Sequence, residues 1–435
     1  MQNWKRREFL GASMAGFAAG TSWINLASHS FAAEKDKKET KKEGHEKSKD
    51  PKSPGPDAPD TLMLTWQRDP TTTMTVQWLD LDTPARGAVH LAKWKNDDWE
   101  KHSAEPRPYQ NTDLKLYRCE FTGLVPDTEY QLRVSGTGQI LRFRTMPAKA
   151  TDTIQFVSGG DSGIGSDAQR INGIAARQEP RFALLGGDVA YDNGKSPETF
   201  TQFLRNWHSQ MVDSEGRLIP LISCIGNHEV QGKTTDRRMA PQYLSFFDGI
   251  FPETTYGVLD IGDYLSLILL DSGHLCPVEG EQTDWLEKTL KERGDRPHVI
   301  AAYHVPAYPS YRVMEGKNGK PGTGHAQREN WCPLFERYQV DVVLEHHDHT
   351  FKRSLPLTNG MYDKNGVLYL GDGSWGKLRA LNEPAMRPYL ARVSSHNHMM
   401  VHRLEGNDRF HVALDANGKV ADVCHSTSKR PAKRG

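Results

Sequence analysis

The segment that decides the fold is FALLGGDVAY, residues 182–191. Its first four residues form a short apolar run with the length and composition of a buried strand. Two glycines end the run, and the metal-binding residue types Asp188 and Tyr191 follow. Polar side chains just beyond a buried strand are typical of the ligand-binding edge of an open α/β sheet. The segment therefore predicts an α/β domain with its site at the carboxyl ends of the strands.

Four further segments repeat this arrangement of an apolar run followed by a carboxylate, an amide or an imidazole. Together with the first segment they supply seven metal-binding side chains, enough for two ions if one carboxylate bridges them. Two ions about 3.5–4 Å apart hydrolyse phosphate esters by in-line displacement. The candidate ligands are Asp161, Asp188, Tyr191, Asn227, His304, His347 and His349.

Each of these motifs has an ordinary structural explanation when it is taken alone. A Gly-Asp pair after a strand is commonly a turn, a His-x-His triplet is common by chance, and Asn227 could cap a helix. The joint occurrence of all five segments, each directly after an apolar run, is what favours a metal site.

Two patterns divide the rest of the chain. Residues 60–147 contain short alternating strands separated by turn residues, which is typical of an antiparallel β-sandwich. Residues 153–425 alternate strands with helices and predict a two-sheet α/β sandwich. The expected helices are 168–177, 198–211, 282–293 and 331–338. Residues 367–370, 399–403 and 410–414 are expected to be antiparallel edge strands.

The amino terminus has the features of an export signal. Arg6-Arg7 precedes a mildly apolar run, and Ser30-Phe31-Ala32 offers small residues for cleavage. We therefore expect residues 1–32 to be a twin-arginine signal peptide that directs the protein to the periplasm or the exterior. An uncleaved membrane anchor is the alternative, but polar residues interrupt the run. Residues 33–59, rich in Lys, Glu and Pro, are expected to be a disordered linker.

Composition excludes several other classes of protein. The formal net charge is zero over 435 residues, so no general affinity for nucleic acid is implied. The five cysteines form no C-x-x-C pair, which argues against a zinc ribbon or a disulfide scaffold but leaves a single bridge open. After signal cleavage, no stable membrane span is expected.

The order and spacing of the motifs resemble the calcineurin-like metallophosphoesterase superfamily and, within it, the purple acid phosphatases. Tyr191, three residues after Asp188, favours the purple acid phosphatases over the other branches, since most of those lack a tyrosine ligand there. The resemblance covers about residues 60–415 and implies that the amino-terminal sandwich is fibronectin type III-like. It further implies a ferric ion held by Asp161, Asp188, Tyr191 and His349. Asn227, His304 and His347 would hold a divalent ion, zinc, iron or manganese, that Asp188 also bridges.

Catalytic residues can be proposed from their positions next to the ligands. His228 adjoins Asn227 and is expected to act as the general acid, with Glu229 holding its ring. The family places a further phosphate-binding histidine after His304, and this chain lacks it. Possible replacements, each weighed evenly against an ordinary loop residue, are Arg312, Tyr311 and His325. Another departure is His346, which replaces the glycine that is usual before the last His-x-His, with Glu345 preceding it.

The sequence thus predicts a hydrolase that removes phosphate from monoesters by attack of a hydroxide held by the metals. Its substrates would be phosphorylated small molecules or phosphoproteins. The alternatives are a phosphodiesterase of the same superfamily and a pseudo-enzyme that binds phosphorylated ligands. Substrate, divalent ion and oligomeric state stay open at this point.

Overall fold

The protein was analysed as a computed structural model that describes residues 59–82, 86–150, 152–381 and 387–430. The signal peptide and nearly all of the linker predicted from the sequence lie outside the described residues. Within the described ranges, no helix has both the length and the apolar character needed to cross a membrane.

The amino-terminal part is a sandwich of two four-stranded antiparallel sheets. Alternating side chains fill the space between them, and the indole of Trp78 stacks on Tyr117 with ring centroids 5.4 Å apart. One sheet has the order β1-β2-β6-β5 and the other β4-β3-β7-β8. The strands are β1 (Met63–Thr65), β2 (Met74–Leu81), β3 (Ala88–Lys93), β4 (Glu100–Ser103), β5 (Glu105–Pro108), β6 (Leu114–Phe121), β7 (Glu129–Val134) and β8 (Leu141–Arg144).

Sequence analysis missed two of these strands, β4 and β5. Every residue of β4 and β5 is exposed except His102, which is half-buried. Neither strand therefore shows the alternation of apolar and polar residues by which a half-buried strand is recognised.

The carboxyl-terminal part contains two large mixed sheets, as the sequence predicted. The six-stranded sheet has the order β11-β10-β9-β21-β22-β23, with β9, β10 and β11 parallel. Its strands are β9 (Ile154–Gly159), β10 (Ala183–Leu185), β11 (Leu221–Ser223), β21 (His398–Glu405), β22 (Asp408–Asp415) and β23 (Val420–Thr427).

The seven-stranded sheet has the order β12-β13-β14-β15-β19-β16-β20, with β13, β14, β15 and β19 parallel. Its strands are β12 (Gly257–Ile261), β13 (Leu265–Leu269), β14 (His298–Ala302), β15 (Val342–Glu345), β16 (Phe351–Ser354), β19 (Leu368–Gly371) and β20 (Leu390–Ser394). A separate hairpin consists of β17 (Leu357–Thr358) and β18 (Met361–Tyr362).

The prediction of three antiparallel edge strands near the carboxyl terminus is wrong about the edge position of all three, whereas β21 and β22 are antiparallel as expected. The strand β19 pairs parallel with β15 and antiparallel with β16, and β21 and β22 also have neighbours on both sides. The sheet edges are β11, β23, β12 and β20. An apolar run indicates burial, but it does not distinguish an interior strand from an edge strand with a covered face.

Six α-helices accompany the sheets in the described part of the chain. The helix α2 shows why such segments are helical: Ser196 caps its first turn by accepting from Thr199 N–H, and Pro197 begins it. Its buried face carries Phe200, Phe203, Leu204 and Trp207. The helices are α1 (Ser166–Ala176), α2 (Pro197–Gln210), α3 (Pro241–Phe247), α4 (Glu281–Glu292), α5 (His325–Asn330) and α6 (Cys332–Arg337).

The helix expected at 331–338 is observed as α6, and a second short helix that the sequence did not predict, α5, precedes it across Trp331. The cysteines are all free, so the bridge that the sequence left open does not form.

A buried arginine joins the amino-terminal sandwich to α3 and the turn after it. Arg118, on β6, donates to Gln77 Oε1 at 2.7 Å, to Ser245 O at 2.7 Å and to Asp248 Oδ1 at 2.5 Å. Gln77 in turn donates to Phe246 O at 2.8 Å. A guanidinium with five donors satisfies several buried acceptors at once, which a lysine could not do in this geometry.

We expect Arg118→Ala to lower the free energy of unfolding by on the order of 2 kcal/mol, because it leaves buried acceptors unsatisfied. Urea denaturation measures this change. The matched control is Arg107→Ala, which removes a second arginine from Asp248 but one whose side chain is 49% exposed. The control should cost less than about 1 kcal/mol. Equal losses in the two variants would contradict this account of the junction.

Candidate metal centre

The carboxyl ends of parallel strands from both large sheets bring the seven predicted ligands together. Each sheet contributes side chains from the loops that directly follow its parallel strands, where open α/β sheets place their sites. From the six-stranded sheet, Asp161 follows β9, Asp188 and Tyr191 follow β10, and Asn227 follows β11. From the seven-stranded sheet, His304 follows β14, and His347 and His349 follow β15.

Three of these side chains form one tight group. Tyr191 Oη lies 3.0 Å from both Asp161 Oδ1 and His349 Nε2, and the last two atoms are 2.9 Å apart. Atoms that share one ion at bond lengths of about 2.0–2.2 Å lie roughly 3 Å from each other. The separations and the hard anionic donors therefore fit a single metal ion.

A second group forms around His304 Nε2. This nitrogen lies 3.2 Å from Asn227 Oδ1, 3.0 Å from His347 Nδ1 and 3.3 Å from Asp188 Oδ2. The other ring nitrogen of His304 donates to Gly186 O at 2.9 Å, which directs Nε2 toward the group. Two imidazoles, an amide and a carboxylate suit a divalent ion.

Asp188 lies between the two groups. Single ligand atoms of Asp161, Asp188, His304 and His347 all fall within 4.8 Å of one another. Asp188 Oδ1 accepts from the backbone N–H of His228 at 2.8 Å, whereas the fully buried Oδ2 has no hydrogen-bond partner among the described residues. Because a buried carboxylate oxygen without a partner is costly, this atom fits a position shared by two cations.

The electrostatics of the cluster also require positive charge. Burial, and then the charges of Asp161 and Asp188, raise the pKa of Tyr191 far above its usual value. Burial opposes a proton on His304, but the charge of Asp188 overcomes this and raises the pKa of His304 to about 10. A phenolate can form here only beside a strong cation, and metal ions would displace the proton from His304.

The backbone at the site is strained. Non-glycine residues rarely adopt positive φ, yet five of the seven predicted ligands have φ between 53° and 78°. Such conformations cost energy. They persist where the surrounding structure holds them in place, which is common at functional sites. These residues are Asp161, Asp188, Tyr191, His347 and His349.

Comparison with known proteins gives two adjacent family matches. A family model described as Purple acid Phosphatase, N-terminal domain, matches residues 59–157, and one described as Calcineurin-like phosphoesterase matches residues 151–351. The chain belongs to the purple acid phosphatase family.

Individual relatives are distant in sequence. Purple acid phosphatase 21 of Arabidopsis thaliana is 26% identical over 284 residues, which are 61% of this chain and 60% of that protein. Fe(3+)-Zn(2+) purple acid phosphatase 12 of the same plant is 24% identical over 418 residues, 85% of this chain and 84% of that protein. The match thus spans less than two thirds of the first relative's length and most of the second's.

A solved structure shares the fold. The purple acid phosphatase PPD1 from seeds of yellow lupin (Lupinus luteus) superposes with a TM-score of 0.71 at 16% sequence identity. The superposition covers 86% of this chain and 75% of that chain. At this identity the likeness shows the fold alone, which is the sandwich followed by the two-sheet α/β domain.

The role that sequence analysis assigned to Glu229 is wrong. Glu229 does not hold the His228 ring; its fully buried carboxylate accepts the backbone N–H groups of Gly226, Asp188 and Val189 at 2.7–2.8 Å. It thereby ties the loop that carries Asp188 to the loop that carries Asn227. Sequence analysis assigned Glu229 from its proximity along the chain, but Asn227–Glu229 form one turn of 3₁₀ helix that directs its side chain inward.

Asn193 holds the His228 ring instead. Its side-chain Oδ1 accepts from His228 Nδ1 at 2.5 Å, so His228 Nε2 faces the metal-binding cluster. Nε2 lies 3.9 Å from Asp188 Oδ2, and the ring packs over Tyr191 with centroids 4.3 Å apart. The His228 side chain is 36% exposed, in contrast to the buried Asp161, Asp188 and His304. No sequence signal pointed to Asn193, because it is 35 residues away from its partner.

The three predicted substrate-binding residues differ in their positions. Arg312 lies at the site, where its Nη1 donates to His347 O at 2.7 Å and to Asp348 Oδ1 at 2.8 Å. The backbone N–H of Tyr311 is held by Asp348 at 2.8 Å. His325 is exposed at the start of α5, and no hydrogen bond to a ligand residue is found for it within the described ranges.

His346, which the sequence marked as a departure from the family pattern, fills space behind the ligands. A Cβ atom on Gly186 would lie 1.8 Å from the fully buried His346 ring, and one on Gly160 would lie 2.8 Å from it. The ring therefore occupies a space that exists only because both neighbours are glycines.

We expect Glu229→Gln to reduce the number of bound metal ions and to lower stability by about 1–3 kcal/mol, because an amide NH₂ would face backbone N–H donors. Metal content per chain after dialysis and the midpoint of urea denaturation measure both effects. Glu215→Gln, on an exposed turn, is the matched control. Full metal content and an unchanged midpoint in Glu229→Gln would show that this carboxylate does not organise the site.

Proposed function

We propose that the protein is an acid phosphatase-type hydrolase that removes the phosphoryl group from phosphate monoesters with the help of two metal ions. The observation that supports this most is the meeting of seven metal-binding side chains beside the half-exposed His228, which belongs to neither group. Each of the two groups offers at least three donors, and Asp188 is available to both.

The donor chemistry supports different metals in the two positions. Asp161, Tyr191 and His349, with Asp188, would hold Fe(III), because carboxylate and phenolate are hard anions. Asn227, His304 and His347, with Asp188, would hold zinc, ferrous iron or manganese. Such a pair of ions supplies Lewis acidity toward the phosphoryl oxygens and lowers the pKa of water.

The side chains of the protein would position the substrate and move a proton. His228 Nε2 faces the cluster and, when protonated, can donate to the oxygen of the departing alcohol. The hydrogen bond from Nδ1 to Asn193 keeps the ring in this orientation. The backbone N–H groups that bind Glu229 keep the two ligand loops at a fixed separation.

Acidic conditions should favour this reaction. Burial lowers the pKa of His228, and the charge of Asp188 opposes that effect. A proton donor with a lowered pKa is mostly protonated only in acidic solution, so activity should fall as the pH rises through that pKa.

We further propose export by the twin-arginine route, with action on phosphorylated molecules outside the cytoplasm. The support is the sequence of residues 1–32 alone, which lie outside the described part of the structure. Replacement of Arg6-Arg7 by two lysines would retain the precursor inside the cell if the proposal holds.

We expect His228→Ala to keep both metal ions and to lose roughly 10²-fold or more in kcat on p-nitrophenyl phosphate, because the leaving oxygen loses its proton donor. Steady-state rates across pH and metal content per chain provide the two readouts. The matched control is His425→Ala on the edge strand β23; its side chain is 43% exposed and pairs with Asp408 on β22.

A rate near that of the unaltered protein at acidic pH would overturn the role of His228. Hydrolysis of bis(p-nitrophenyl) phosphate in preference to the monoester would replace the proposed monoesterase by a phosphodiesterase. Metal-loaded protein that binds phosphate but hydrolyses neither ester would indicate a binding protein.

A further inference from the structure

Basic side chains surround the metal-binding cluster and are attached to the ligands themselves. The backbone N–H of Lys377 donates to Asp161 O at 3.0 Å, and that of Arg379 donates to His349 O at 2.9 Å. On another side, the Arg312 guanidinium donates to His347 O. These positions are therefore set by the same backbone that places the metals.

The side chains of Lys377 and Arg379 are also held in place. Lys377 Nζ lies 4.4 Å from the centroid of the Tyr191 ring, and the Arg379 guanidinium carbon lies 5.3 Å from that of Tyr311. Cations over aromatic faces gain favourable interaction with the ring quadrupole. Both residues are half-buried, so they are partly ordered yet remain accessible to a ligand.

Arg312 differs from Lys377 and Arg379 in having a carboxylate beside its charge. Arg312 forms an ion pair with the buried Asp348 at 2.8 Å. For Lys377 and Arg379, by contrast, no carboxylate within the described residues lies in ion-pair distance of 4.0 Å. Two positive charges to which the described residues offer no carboxylate partner thus border the site, and only Leu378, which is 46% exposed, separates them in the sequence.

Beside Arg312 there is also room for a substrate larger than one phosphate. A groove of about 510 Å³ runs from Tyr311 and Arg312 along the turn that carries Lys317 and Lys320. Three of its lining residues are basic, and Glu315 is the one acid among them. The surroundings of the metal cluster are thus predominantly positive on the groove side as well.

We propose that Lys377 and Arg379 form a second anion subsite that selects phosphomonoesters bearing at least one further phosphoryl group. The proposal rests on the proposed function, since it names the class of substrate for the same site. An uncharged leaving group would leave these two cations without a partner, whereas a second phosphate offers each of them a charge-assisted hydrogen bond. Arg379 can bind a phosphate through two parallel N–H groups.

The direct experiment compares fructose 1,6-bisphosphate with fructose 1-phosphate on the metal-loaded full chain. The unaltered protein should show the higher kcat/KM on the bisphosphate, by more than the statistical factor of about two for two scissile groups. Lys377→Gln/Arg379→Gln should reduce the bisphosphate-to-monophosphate ratio by on the order of tenfold, as expected for two half-exposed charge pairs.

The matched control removes the same amount of charge elsewhere. Lys288 and Lys291 are exposed on α4, so Lys288→Gln/Lys291→Gln should leave the ratio unchanged. A second measurement needs no variant: added sodium chloride should lower the ratio of the unaltered protein, because it screens exposed charges. Metal content is measured for every variant, so that loss of metal is not mistaken for loss of the subsite.

The outcomes separate this proposal from the one on which it rests. Without turnover of p-nitrophenyl phosphate by metal-loaded protein, the phosphatase function itself fails. With turnover, a ratio at the statistical value, or one that the Lys377/Arg379 double variant leaves unchanged, overturns the subsite. That result would mean that the two cations only offset the negative charge of the ligands.

Discussion

The structure depends on the burial of two carboxylates and a tyrosine hydroxyl in one small volume. Asp161, Asp188 and the Tyr191 hydroxyl meet among three imidazoles, with donor atoms as close as 2.9–3.3 Å. Carboxylates and a phenolate buried this closely repel one another unless cations lie between them. The raised pKa values of Tyr191 and His304 agree with this. Burial and then the charges of Asp161 and Asp188 raise the pKa of Tyr191, and at His304 the charge of Asp188 outweighs burial. The two large sheets and their loops provide the frame that holds these groups together.

The close approach of these groups also accounts for the strain in the backbone. Left-handed conformations at non-glycine residues are unfavourable, and here they occur at five predicted ligands in loops that follow β9, β10 and β15. Backbone hydrogen bonds support them: Asp161 N–H donates to Gly187 O at 3.1 Å, and His347 N–H to Asp161 Oδ2 at 2.8 Å. At Gly373 a Cβ atom would lie 1.8 Å from Asp161 Oδ2, so only glycine leaves space for that carboxylate.

Sequence patterns predicted the fold class and all seven residues of the cluster, because both depend on local order along the chain. An apolar run followed by a polar residue identifies a strand and the side chain at its end. The partners of His228 and Glu229 could not be predicted in this way, since Asn193 and Asp188 are distant in sequence. Lys377 and Arg379 lie beyond the last motif, and only the folded backbone brings them to the ligands. Exposed strands such as β4 lack the periodicity that sequence analysis requires.

The measurement that tests the central claim most directly is anomalous X-ray diffraction from crystals of metal-loaded protein, recorded at the iron and zinc absorption edges. The account predicts two peaks per chain about 3.5–4 Å apart, with iron beside Asp161, Tyr191 and His349 and with Asp188 between the peaks. A single peak, or a pair that Asp188 does not join, would contradict the two-metal site on which the proposed function depends.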